Sequence, residues 1–300
     1  MTECERLIHE GFIDEEFLNE ETRCDYKITS DMKKVWAIQL KILHDFHQIC
    51  KEHGLHYCVS GGTMIGAIRH GGYIPWDDDI DVTMPRNDYK KLIEHPEWFI
   101  SPNELHLASN QEGYYEGWAR VHNTRTAVLY DNYQVEGSKQ GIYIDIFPLD
   151  GYDSKLFEKI NFYRIWLTNI IGHAFCYNVN NNPLLKQLVP ILRKLRLFNC
   201  EKAFKKVNKL AVSQNTNPKY VMSKMAKVYG IERQSFPSDD YASEIEVKFE
   251  NITVCVPIGY DNVLKRTYGD YMSFPPIERR GSWHSFQFDT EKSFKCYQRK

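Results

Sequence analysis

An α/β (α+β) chain, with a β-sheet core flanked by helices and a helical insertion, is what this sequence predicts. Three observations carry it. Apolar residues recur at helical spacing between 30 and 53, short apolar runs end in glycine or aspartate near 55–62, 74–85 and 142–150, and residues 153–212 turn helical. Three hundred residues allow two domains or one elaborated domain, and either can bury a substantial core.

Taken in order, residues 1–28 are acidic and without a clear period, an arm packed on the body or partly mobile. A helix is predicted from Ser30, its expected cap, with Val35, Ile38, Ile42, Phe46 and Ile49 on one face and Gly54 as its stop. Leu55 to Val59 then reads as a strand that turns sharply at Ser60-Gly61-Gly62-Thr63 into another helix. Glycines there let the backbone approach a phosphate, and the first amides of the helix can point at it.

The stretch Asp77-Asp78-Asp79-Ile80-Asp81-Val82 is the most specific in the chain. Read as a strand, it puts Asp77, Asp79 and Asp81 on one face and Asp78 and Ile80 on the other. Strands disfavour aspartate, and like charges two residues apart repel, so a counter-charge is required. A divalent cation supplies it: magnesium takes one or two carboxylates plus phosphate oxygens, which suits Asp79 and Asp81. An acidic surface loop is the plainer reading. Against it stand Ile74-Pro75-Trp76 before the run, Ile80 within it, and Val82 and Met84 after it, the texture of a buried strand end.

A helix follows from Pro85 to Glu94, stopped by Pro96. Strands are expected near Leu105–Ser109, Gly117–His122, Ala127–Tyr130 and Ile142–Phe147, with Asn132 to Lys139 as a hairpin loop. Asp145 is the one charge inside Tyr143-Ile144-Asp145-Ile146-Phe147, and such a carboxylate is costly unless paired or metal-bound. Between 183 and 209 eight cations, Arg193, Lys194 and Arg196 among them, face Glu201 alone, interleaved with leucines. Two readings stand for that segment: an interfacial helix on a membrane surface, or a solvated face of a helix packed on the core. The last third predicts a strand pair, Glu244–Phe249 and Ile252–Val256, and a helix from Tyr260 to Tyr268. Beyond it, cations and rings from Tyr271 to His284 suit a nucleotide, or simply close the fold.

Gly61-Gly62-Thr63, Arg69-His70, the run Ile74 to Asp81, Arg86, Asp88-Tyr89, Gly141 to Asp150, Phe249-Glu250, and Tyr268-Gly269-Asp270-Tyr271 with Pro275-Pro276 together resemble the LicD family of phosphocholine transferases, relatives of the fukutin-related proteins. The resemblance spans about residues 30–285. It implies a nucleotidyltransferase-like mixed sheet, and it makes Asp145 the third carboxylate beside Asp79 and Asp81, as metal ligand or as base. It divides the chain into an arm (1–29), a catalytic core (30–152), a basic helical region (153–230) and a C-terminal segment completing the site (231–300).

On this reading Gly61, Gly62 and Thr63 hold a phosphate, with Arg69, Arg120 or Arg279 offsetting its charge and Trp76 and His284 among the ligand contacts. A quaternary ammonium would need an aromatic cage, for which Tyr73, Trp76, Tyr114, Tyr115, Trp118 and Trp283 are available. The implied reaction moves a phospho-alcohol, phosphocholine foremost, from a CDP-alcohol to a hydroxyl of a cell-surface glycan such as lipopolysaccharide, teichoic acid or a capsule precursor. Mg2+ or Mn2+ assists and CMP leaves. The alternatives are a true nucleotidyltransferase acting on a small substrate and a non-catalytic metal- or nucleotide-binding protein of the same fold.

Composition sets further bounds. With 38 basic against 40 acidic residues no global basic field points to nucleic acid. Eight scattered cysteines lack any C-x-x-C spacing and read as reduced thiols. The first residues are charged rather than apolar, and no run of about 18 apolar residues exists. A cytoplasmic protein, peripheral at most on the inner face of the membrane, is the expectation.

Overall fold

The computed structural model of the protein describes residues 1–109, 114–130, 140–153, 156–177, 187, 191, 195, 198–212, 217–224, 230–281 and 286–297. Its centre is helix α2, Ser30–His53, which follows α1, Glu3–His9, and a hairpin of β1, Glu21–Arg23, with β2, Tyr26–Ile28. Thr29, one residue before the cap expected from the sequence, accepts the Met32 amide at 3.2 Å, and Gly54 ends α2 in the left-handed region at φ 62°. Val35, Trp36, Ile38, Leu40, Ile42, Leu43 and Phe46 bury one broad side of α2 against the sheet. The acidic arm is part of the same core, since Leu7 and Ile28 are buried in it.

The main sheet has seven strands and is mixed. β3, Cys58–Val59, pairs antiparallel with β4, Asp81–Pro85, and β4 runs parallel to β8, Tyr143–Tyr152. The first half of β8 also pairs with β6, Ala119–Asn123, itself paired to β5, Asn103–His106. Its second half pairs with β9, Tyr220–Met222, which carries β10, Phe236–Pro237, at the edge. β8 is therefore the long strand on which both halves of the sheet meet.

Helix α3, Gly61–His70, leaves β3 directly, and α4, Arg86–Glu94, leaves β4 directly. The first residue of α4 is tied beneath the sheet. Arg86 donates from Nε and Nη2 to both oxygens of Asp150, each at 2.7 Å, and from Nη1 to Asn208. Beyond the sheet come α5, Leu156–Tyr177, and α6, Cys200–Ala211, packed on one another. β11, Glu244–Phe249, and β12, Ile252–Pro257, form the expected hairpin, with Glu250 at its turn at φ 51°, and α7, Tyr260–Tyr268, follows.

Two expectations change. Asp77 to Ile80 are not strand: the ladder starts at Asp81, and the three preceding aspartates lie in the irregular run that enters it. The alternation survives nonetheless, with Asp78 and Ile80 buried and Asp77, Asp79 and Asp81 partly exposed. β7, Ala127–Tyr130, takes β13, Phe286–Asp289, as its ladder partner rather than β8, and the proposed hairpin loop at 132–139 lies outside the described residues. None of the eight cysteines is in a disulfide. Among the described residues no helix is long and apolar enough to cross a membrane.

Candidate active site

The glycine turn and the aspartates are built as one unit. Ser60 N–H donates to the Asp81 carbonyl at 2.9 Å, and Asp81 N–H donates to Thr63 Oγ1 at 2.9 Å. Thr63 is buried, so its hydroxyl fixes the entry to β4. From below, Trp36 Nε1 donates to the Asp77 carbonyl at 3.0 Å and Gln39 Nε2 to the Asp78 carbonyl at 2.9 Å. The acidic run is thus clamped between the start of α3 and the buried side of α2, with the carbonyls of Asp77 and Asp78 satisfied.

Why glycine is needed twice is visible in the same contacts. Gly61 has φ 58°, and a Cβ there would stand 3.0 Å from Asp81 Oδ2. A Cβ on Gly62 would overlap Asp77 Oδ2. We expect Gly62→Ala to displace the Asp77 carboxylate while leaving the α2 core intact. Turnover should fall by about tenfold or more with little change in thermal midpoint, because small misplacements of a site cost large factors in rate. Unchanged turnover would separate Asp77 from the chemistry.

Carboxylate oxygens of Asp77, Asp78 and Asp79 approach within 4.8 Å of one another. Asp77 titrates above the ordinary carboxylate range, first because the protein packed around its partly exposed side chain strips water from the charge and then because Asp79 and Asp78 repel it. Asp81, also partly exposed, is raised likewise, by lost hydration first and then by Asp79, Asp145 and Asp77. Crowded hard oxygens that resist ionisation for want of a counter-charge are a donor set suited to a divalent cation.

Asp145 sits across the strand boundary. It is the register partner of Asp81 in the parallel β4–β8 ladder and of Arg120 in the antiparallel β6–β8 ladder. Asp81, Asp145 and Arg120 therefore line up across three adjacent strands. Arg120 donates from Nε to Asp145 Oδ1 at 2.6 Å and from Nη2 to Oδ2 at 3.3 Å, and Trp118 Nε1 donates to Oδ1. Behind it, Arg120 Nη1 meets Glu116 at 3.1 Å, and Glu116 Oε2 lies 2.8 Å from His173 Nε2 on α5. Sequence reading proposed Arg120 for a phosphate and did not find Glu116 or His173. No local spacing links them, because α5 and the residues before β6 meet only in the fold.

Other expectations are redirected. Arg69 donates to the carbonyls of Tyr271 (2.6 Å) and Ser273 (3.0 Å) and to His70, so it holds the C-terminal loop. His70 is pushed down to about 4 by burial and by Arg69 and Arg23. Arg279 is exposed, whereas its neighbour Arg280 covers Trp76 at 4.9 Å from the ring centre and donates to the carbonyls of Pro275 and Cys24. Of the aromatic set, Tyr73, Tyr114 and Tyr115 are fully buried and cannot cage a ligand, Tyr73 being stacked on Trp36 at 4.4 Å. Trp76 and Trp118 keep partial exposure. His284 and Trp283 lie outside the described residues, as do Arg193, Lys194 and Arg196.

Comparison with known proteins places the chain in a family. The domain described as LicD/FKTN/FKRP, nucleotidyltransferase domain, matches residues 54–183, which contain the glycine turn and all three strands of the acidic centre. The lipopolysaccharide cholinephosphotransferase LicD of Haemophilus influenzae is 30% identical over 264 residues, covering 84% of this chain and 96% of that protein. An uncharacterized protein of Rickettsia prowazekii is 27% identical over 154 residues, 49% of this chain and 51% of its own length. With a relative matched almost end to end and a matched nucleotidyltransferase domain that contains its aspartates, the chain belongs to the LicD family.

Proposed function

We propose that the protein is a divalent-metal-dependent transferase that moves phosphocholine from CDP-choline to a hydroxyl of a cell-surface glycan, lipopolysaccharide foremost, and releases CMP. The acidic centre carries this reading: Asp77, Asp78 and Asp79 are crowded at the start of α3 with Asp81 and Asp145 in register beside them. The end-to-end relative whose name specifies choline phosphate and lipopolysaccharide supports the substrate classes.

Asp79 and Asp81 would hold Mg2+ or Mn2+, with Asp77 and Asp78 within reach and Asp145 on the adjacent strand. The bound cation would neutralise the diphosphate of the donor and leave the attacked phosphorus more electrophilic. The chain itself supplies position. The first residues of α3, Gly61 and Gly62, lie against Asp81 and Asp77, and amides at a helix start can hydrogen-bond a phosphate oxygen. Asp145, with both oxygens fixed by Arg120 and Trp118, has one orientation from which to align an acceptor hydroxyl. Positioning of this kind provides most of the acceleration in phosphoryl transfer, since little covalent chemistry is left to the protein. Arg280 and Arg69 tie the 271–280 loop against Trp76 and His70, beside the acidic run.

The test is incubation with a panel of CDP-alcohols (choline, ethanolamine, glycerol, ribitol), a glycan acceptor and magnesium or manganese, and in parallel with CTP, phosphocholine and the same metals. CMP release with CDP-choline, stopped by chelator, is expected. Pyrophosphate release from CTP would make the protein a nucleotidyltransferase, and neither product would make it a binding protein of the same fold.

A further inference from the structure

Helix α5 is apolar on two sides. Inward, Phe162 and Ile165 are buried, Ile165 against Val207 and Ala211 of α6. Outward, Leu156, Phe157, Ile160, Tyr163 and Leu167 stand in solvent at exposures of 74, 60, 47, 50 and 54%. Leu156, Ile160, Tyr163 and Leu167 follow one another at spacings of four, three and four, a single stripe along the helix. A surface helix of a water-soluble domain ordinarily turns a polar face outward, and a contiguous apolar stripe of this length marks a surface that meets something.

Charge tells what it meets. The one acid of α5, Glu158, is buried and paired with Lys224 at 2.6 Å, so the outward face carries Lys159 and Arg164 and no acid. On α6 the exposed positions include Lys202, Lys205, Lys206 and Lys209, with Glu201 tied to Lys205. Exposed apolar and aromatic side chains on a helix whose exposed charges are cations, with further exposed lysines on the helix packed against it, are the signature of a helix lying in an anionic lipid interface. A second copy of this chain fits poorly, since a two-fold contact would press Lys159 and Arg164 toward their own duplicates.

We propose that the outward face of α5 seats the protein on an anionic membrane surface, with Leu156, Phe157, Ile160, Tyr163 and Leu167 entering the headgroup boundary. The helix lies on the bilayer and does not span it, in keeping with the apolar length of the described helices. The proposal concerns attachment alone and holds whichever phospho-alcohol the site transfers.

The experiment is flotation of the purified full chain with vesicles of pure phosphatidylcholine and of phosphatidylcholine mixed with phosphatidylglycerol. Binding to the anionic vesicles only, weakened by salt, is expected. The combined variant Phe157→Ser, Ile160→Ser, Leu167→Ser should bind about tenfold less at unchanged circular dichroism, as loss of inserted apolar area requires. Should that variant fail to fold, Lys159→Gln with Arg164→Gln keeps the test, and must reduce the salt-sensitive part of binding. Indifference to both vesicle types, or parental binding by a folded variant, overturns the proposal. So does a parent dimer that the variant dissolves in the absence of lipid, which would assign the stripe to a second copy. None of these readouts uses transferase activity.

Discussion

Asp81→Asn, and separately Asp79→Asn, should abolish turnover without weakening the metal-free fold. The ionised form of Asp81 is opposed by lost hydration and by Asp79, Asp145 and Asp77, so its native titration lies above the ordinary range. An acid raised on folding contributes stability that is full below its unfolded value, near 3.9, and is lost as the pH rises through its native value. At neutral pH the carboxylate is therefore a liability that a neutral amide removes. Thermal midpoints in chelator should be equal to or above the parent's. Addition of Mg2+ or Mn2+ should raise the parent's midpoint and leave the variant's where it was, because a ligand stabilises only the state that binds it. Loss of one preorganised electrostatic element typically costs ~10²–10³ in rate, and turnover should fall by at least that. A variant that keeps about a tenth of parental activity would remove its aspartate from the proposed site.

What sequence could foresee here follows physical range. α2, α4, α7 and the β11–β12 hairpin are each specified within their own residues, by periodicity, a breaker such as Gly54, or a turn. A lone carboxylate in a strand of branched and aromatic residues demands a partner, but it was the family resemblance that put Asp145, 64 residues on, beside Asp81, and the two are register partners in adjacent strands. Asp77 to Asp79 were misplaced in a strand because alternation of burial persists in an extended run whose ladder bonds are replaced by Trp36 and Gln39. Composition could not say which rings were free. Tyr73, Tyr114 and Tyr115 look like Trp76 in sequence, yet they fill the core.

The arginines were the hardest residues to read, for the same reason. A guanidinium near a phosphate motif suggests phosphate, but five donors can be consumed by carbonyls and carboxylates brought from far along the chain. Arg69 is drawn to residues 271 and 273, Arg23 to Glu250, and Arg280 to Cys24. These ties join the ends of the chain around α3. They give Glu250, which also accepts the Tyr73 amide at 3.1 Å and donates its own amide to the Gly71 carbonyl, a structural role at the Gly71–Gly72 turn that ends α3.

Arg120→Ala should be the most destabilising single change at the site. Arg120 is buried among Asp145, Glu116 and the Tyr143 ring, 4.0 Å beneath its guanidinium carbon. Removing it leaves two buried carboxylates without their cation, and breaking a buried pair from one side costs about 3–5 kcal/mol. That is a large share of the roughly 5–15 kcal/mol that holds a domain together. Equilibrium urea unfolding should show the loss as a lower midpoint. Adding Asp145→Asn to Arg120→Ala should recover part of it, since the second change neutralises a stranded charge, whereas independent sites would add their losses. Arg120→Lys should fall between, keeping the charge and losing the fork that grips both oxygens of Asp145. Turnover should separate the two roles: the double variant regains stability and stays inactive, because Asp145 no longer offers an oriented carboxylate. If Arg120→Ala unfolds within about 1 kcal/mol of the parent, Asp145 does not depend on it, and the three-strand alignment is not what holds the acidic centre together.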